Sequence, residues 1–366
     1  MAFSGELTID IAALMRNYKT LDAMSAASCE TAVSVKADAY GLGARDVVSA
    51  LSEEGARRFF VATLDEAITV RNVLPQADIH ILNGFMDDAR DVYRAHNLSP
   101  VLNSLSEIEL YRSFSHDCEE ALPAIIHFDT GMNRLGLVSD EARILCDDLS
   151  LLDGIDLQFI MSHFSSSEEE ENPINTAQYK RFKDLTLYFK GVKQSLCNSG
   201  GVFLSQEYHL DMTRPGIALY GGCAVSKMEE VIRPVVSLSA PILQIHSVKK
   251  GEYAGYNETH CFDKDGHVAI ISIGYADGVL RSLANNGALY WRDYKLPIRG
   301  RVSMDLLICD LSAVPLQDYP VVGDMVEVLG AHQSIDDLAK DAGTAAYEII
   351  TSLGARYKRN YISDLS

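Results

Sequence analysis

Apolar and polar positions fall into two textures along the chain. Residues 6–9 alternate briefly, and Ile11, Leu14, Tyr18 and Leu21 then recur at helical spacing. From there to about Gly222, short apolar runs alternate with helix-period segments. The runs at 32–35, 58–63, 78–83, 99–103, 124–128, 157–163, 194–197 and 209–213 predict strands. Helices are predicted between them, at 64–73, 106–114, 140–149 and 176–190. Eight strands alternating with helices predict an α/β fold, a (β/α)8 barrel, with a doubly wound open sheet as the alternative. Beyond about Met228 the period drops to two in stretches such as HVAIISIGY, LPIRGRV and VVGDMVEVLG. That texture predicts a second, mostly β domain with one short helix near 334–340. The expected division is 11–228 for the barrel and 229–366 for the β-rich domain.

Composition narrows the setting. The chain has 366 residues, 47% of them hydrophobic, ample for two packed domains. A formal charge of −19 argues against nucleic acid or an anionic membrane as partner. Seven cysteines lie scattered without a CxxC pair, which fits a reducing compartment. The opening MAFSGELTID lacks a basic or apolar leader pattern, and no run reaches membrane-spanning length, so a cytoplasmic location is expected.

The chemistry centres on AVSVKADAYGLG, residues 32–43. Lys36 falls where a short buried strand ends, and such a lysine either snorkels to the surface or is put to use. Asp38, Tyr40, Gly41 and Gly43 follow, a loop that permits close backbone approach to a ligand before a helix begins near Ala44. This context favours a working amine, whose pKa falls in a dry pocket and which can form a Schiff base. Asp129 to Arg134, His163, Asn198 with Ser199, and Arg214 with Gly216 all fall at or just past the ends of expected strands. In a barrel those ends converge on one mouth. Each has a plainer reading when taken alone. Arg134 could be a surface arginine in a capped loop, His163 a satisfied core residue, NSGG an ordinary turn, and Tyr275 a turn tyrosine. No Walker or GxGxxG pattern supports a nucleotide site, and no HxH or HExxH supports a metal.

KADAYGLG closely resembles the attachment segment for pyridoxal 5'-phosphate (PLP) in bacterial alanine racemases, a family of PLP-dependent isomerases. The resemblance continues through DTGMNRLG, NSGG, RPGIALYG and IGYADG, nearly the whole chain. It implies that Lys36 carries the cofactor and is one of two acid/base groups, the other being Tyr275. It implies that Tyr40, Asn198, Ser199, Gly216, Ile217 and Tyr347 help hold the cofactor, chiefly its phosphate. Arg134 would meet its phenolic oxygen or the substrate carboxylate, and Arg214, with His163 packed on it, would face the pyridine nitrogen. Tyr275, Met304 and Asp305 would come from a partner subunit, making a homodimer with shared sites and a pocket small enough for alanine. The N-terminal strand, within 1–10, would join the β domain.

One position departs from the pattern. Where many of these enzymes have a lysine whose carbamate orients the arginine, this chain has His127, which cannot form one. A bound anion such as chloride, or water, is the expected substitute.

The expected activity is interconversion of L- and D-alanine, supplying D-alanine for peptidoglycan. The rivals are an amino-acid racemase of wider specificity, a PLP decarboxylase of the same fold group, and a non-catalytic PLP-binding carrier. The roughly 140 residues after Met228, a domain's worth, count against the carrier.

Overall fold

The computed structural model describes residues 3–223 and 225–363; the outer ends of the expected domains, 1–2 and 364–366, lie outside the described residues. The first domain is a barrel. Its parallel strands are Arg58–Val61, Asp78–Ile81, Ser99–Leu102, Leu122–His127, Ile155–Met161, Lys193–Ser195, Met212–Thr213, and the pair Glu30–Thr31 and Val33–Ser34. That pair closes the ring. Glu30 and Thr31 register with Met212 and Thr213, while Val33 and Ser34 register with Phe59 and Phe60. Ala32 between them donates its N–H to the Thr213 carbonyl at 3.0 Å. Nine strand segments therefore make eight staves.

Alternate residues along the staves point inward and fill the barrel, as a period of two requires. Ala32, Phe60, Val101, Ile125, Phe159, Met161 and Met212 form this interior cluster. The outward residues pack under surrounding helices. One of these, Leu64–Val73, starts on a capping box in which the Thr63 hydroxyl accepts from the Glu66 N–H. Another, Ile11–Met24, starts on Asp10, whose carboxylate accepts from the Ala13 N–H at 2.7 Å.

The second domain is built on a mostly antiparallel sheet of eight strands. Strand Glu6–Asp10 pairs antiparallel with Val236–Val248 and parallel with Lys358–Ile362. The helix expected near 334–340 spans Ile335–Ala342, opened by the Ser334 side chain accepting from the Asp337 N–H. A further helix, Ala346–Thr351, escapes the pattern reading. It is only six residues long, too short for apolar spacing to declare itself. No helix among the described residues is long and apolar enough to cross a membrane.

Candidate active site

The chain leaves the first stave through an unusual turn. Ala37, Asp38, Ala39 and Tyr40 all have φ between 53° and 56°, in the left-handed region. For non-glycine residues this costs roughly 1–2 kcal/mol each, so the turn must be held from outside. Two carboxylates hold it. Glu66 accepts from the Ala37 N–H at 2.8 Å and the Ala62 N–H at 2.7 Å, and Asp38 accepts from the Ala44 N–H at 2.7 Å. Lys36 thereby stands at the barrel mouth, where burial and then the charge of Arg134 lower its pKa.

A cavity of about 450 Å³ opens above it. Lys36, Arg134 and Arg214 line it with one carboxylate, Glu168. Three cations against one anion in a chain of net charge −19 mark a pocket for an anionic ligand. Arg214 is buried and has no acidic partner among the described residues. It donates to the Ser162 carbonyl at 2.6 Å and to the Ser195 hydroxyl, and burial lowers its pKa to about 10. His163 lies against this region, its Nε2 3.5 Å from the Asn198 amide nitrogen. Burial, then the charges of Arg214 and Arg134, hold its imidazole neutral, well below the usual histidine range.

Part of the same cavity wall is a polar cradle. The Ser199 hydroxyl accepts from the Gly216 N–H at 2.9 Å and the Ala218 N–H at 3.3 Å. A Cβ on Gly216 would lie 2.2 Å from the Tyr40 hydroxyl oxygen, so only glycine lets strand end and phenol approach so closely. Tyr40 is buried, stacked on Tyr220 at 4.5 Å, and Ile217 and Tyr347 complete this side. Hydroxyl groups, a cation excess and an amine within one cavity suit a phosphate ester that also bears a carbonyl.

Asn198 lines the cavity and is itself held in place. Its carbonyl oxygen accepts from the Ser167 hydroxyl at 2.7 Å and the Gly201 N–H at 3.0 Å, and its amide donates to Phe164. The acidic run 168–171 reads in sequence as a solvated loop, and all four of its residues are exposed, but its first residue also reaches the site. Glu168 lines the cavity and accepts from the Tyr347 hydroxyl at 3.3 Å, whereas Glu170 pairs on the surface with Lys227. A run of four acids carries no periodicity that could single out the one at the cavity.

Tyr275, Met304 and Asp305 form a second cluster that does not line this cavity. The Tyr275 and Ala276 N–H groups donate to the Ser303 and Met304 carbonyls, each at 3.0 Å. Arg356 ties the two segments together, reaching both Asp277 oxygens and Asp305 at 2.7 Å. Tyr275 and Met304 are left exposed, with the Arg281 guanidinium 5.9 Å from the Tyr275 ring. Within one chain, therefore, Tyr275 does not meet His163 or Arg214. No cluster of three or more histidine, cysteine or acidic side chains suited to a metal occurs among the described residues.

A barrel whose lysine faces a phosphate-type cradle, capped by a β domain that displays a tyrosine, defines a class of cofactor-using enzymes. Comparison places the chain within it. Residues 9–224 match the alanine racemase N-terminal domain and 235–361 the alanine racemase C-terminal domain. It is 43% identical to a catabolic alanine racemase of Agrobacterium fabrum, over 98% of this chain and 92% of that one. It is also 43% identical to an alanine racemase of Rickettsia akari, over 97% and 98%. A crystal structure of alanine racemase from Bartonella henselae with covalently bound pyridoxal phosphate superposes with a TM-score of 0.94, at 39% identity over 98% and 99% of the two chains. The chain belongs to the alanine racemase family.

Proposed function

We propose that this chain is a PLP-dependent alanine racemase that interconverts L- and D-alanine at sites shared between two copies. The observation that carries the reading is the cavity itself: a desolvated Lys36 facing the Tyr40, Ser199 and Gly216 cradle under an excess of positive charge. These residues fit PLP. Lys36 would carry it, the cradle with Ile217 and Tyr347 would receive its phosphate, and Arg214 would stand at the ring nitrogen.

When bound, PLP supplies the electron sink that acidifies the α-hydrogen of an attached amino acid. The chain supplies the rest. Burial keeps Lys36 closer to its neutral form, so its Nζ, when free, could take and return a proton on one face of the substrate. Arg214 keeps its charge un-neutralised, which opposes protonation of a neighbouring ring nitrogen and disfavours transamination. Arg134 binds the substrate carboxylate or the phenolic oxygen of the cofactor. The opposite face needs a second acid/base group. In this reading Tyr275 serves, delivered from the partner subunit together with Met304 and Asp305; their position outside this chain's own cavity supports it. The small pocket so closed fits alanine, and in a bacterial cytoplasm the product would feed peptidoglycan.

The test is a chiral assay of the PLP-loaded protein in deuterated water, with each alanine enantiomer and a panel of other amino acids. Both alanines should converge on a racemate carrying α-deuterium, while serine, lysine and arginine react poorly. Preferred racemisation of a larger amino acid would shift the reading to wider specificity, and carbon dioxide release would replace it with decarboxylation.

A further inference from the structure

We propose that His127, held in one tautomer by Asn103, is the neutral hydrogen-bond acceptor that positions Arg134. The proposal rests on the functional reading above, and its first observation is Asn103. Its side-chain nitrogen donates to the Val101 carbonyl at 2.7 Å and the Leu82 carbonyl at 3.2 Å. Those two bonds orient the amide, because the reverse orientation would set oxygen against two oxygens. The amide oxygen therefore faces His127 Nδ1, 2.9 Å away, and can only accept. His127 must carry its proton on Nδ1, which leaves a lone pair on Nε2.

The surroundings keep it so. His127 is buried at the cavity wall, and burial, then Arg214 and Arg134, lower its pKa to about 3. Its Nε2 makes no hydrogen bond among the described residues. Arg214 has committed its guanidinium to Ser162 and Ser195. Arg134 lines the same cavity and makes no hydrogen bond or ion pair among the described residues. Carboxylates offer it no alternative. Asp129 caps its own turn, accepting from the Gly131 and Met132 N–H groups, and lines an outer groove instead. Glu168 takes the Tyr347 hydroxyl. A bare acceptor buried in the wall and an exposed guanidinium with no protein partner among the described residues thus line one cavity, and in the loaded enzyme the first can receive the second without a bound anion.

The direct test is nitrogen-15 NMR of the histidine-labelled holoenzyme at neutral pH, with His127→Gln identifying the signal. Nδ1 protonated and Nε2 bare is expected; a proton on Nε2 would overturn the proposal. Kinetics provide a second readout. His127→Leu should raise KM for alanine about tenfold, the scale of one hydrogen bond to a charged group, with the visible band of bound cofactor intact. His127→Gln, which keeps a neutral acceptor, should recover most of it. Equal losses in both variants would sink the idea, as would a several-fold rise in wild-type KM when gluconate replaces chloride. Failure of the wild type to racemise alanine would instead sink the functional reading, since the tautomer is measured independently.

Discussion

Two guanidinium groups, one at the barrel mouth and one on the β domain, sit in opposite surroundings. Arg214 is 5% exposed and held by a carbonyl and a hydroxyl, with no carboxylate among the described residues to cancel it. Arg356 is partly exposed and bound to two carboxylates, one of them the fully buried Asp277. The first keeps its charge uncancelled; the second spends its charge on architecture. The cavity is thus electrostatically unfinished, whereas the Tyr275 patch is internally satisfied but presents its tyrosine outward. Each region lacks what the other holds, which is the physical argument for two copies sharing a site.

The largest effects should come from separating the two regions. Lys36→Ala and Tyr275→Phe should each lower the racemisation rate by roughly 10²–10⁴-fold, but only the first should abolish cofactor attachment, read from the visible spectrum. Co-refolding the two dead variants breaks the comparison most directly. If sites are shared, half the dimers are mixed and each regains one intact site, restoring about a quarter of the wild-type rate. No recovery would place both groups in one chain.

Two glycines sharpen it further. Gly216→Ala drives a Cβ to 2.2 Å from Tyr40, and Gly274→Ala drives one to 2.4 Å from the Ser303 and Met304 carbonyls. Overpacking of this kind costs about 1–3 kcal/mol. Titration and calorimetry should show Gly216→Ala weakening PLP binding and Gly274→Ala lowering kcat and Tm with PLP affinity retained.

The smallest effect is a pH dependence of the protein free of PLP. The folded state lowers the pKa of Lys36, so between that lowered value and its ordinary 10.5 the unfolded chain binds more protons. Stability should therefore rise with pH through this window. Lys36→Met has no such proton, so in urea unfolding it should be more stable than wild type at pH 7, with the gap closing toward pH ~10.5.

The barrel was legible because buried parallel strands write themselves as compact apolar runs, and the helix 64–73 emerges with the bounds Leu64–Val73. The positions of Lys36, Arg134, Ser199 and Arg214 followed from where those runs end. Asn103 and Glu66 were not legible. Each acts through a partner distant in sequence, His127 or the turn at Ala37, and neither stands out by type or spacing. Glu168 was hidden among like charges, and the helix bearing Tyr347 by its shortness.

The stave that carries the lysine is also the seam of the barrel. Glu30–Thr31 hydrogen-bonds to Met212–Thr213 on one side, and Val33–Ser34 to Arg58–Val61 on the other. Seen in time, during synthesis, the lysine emerges early but its neighbours across the seam come some 180 residues later. A growing chain displays the reactive amine long before it can enclose it. On the proposed reading, cofactor capture belongs to late folding, timed by ring closure rather than by the appearance of Lys36.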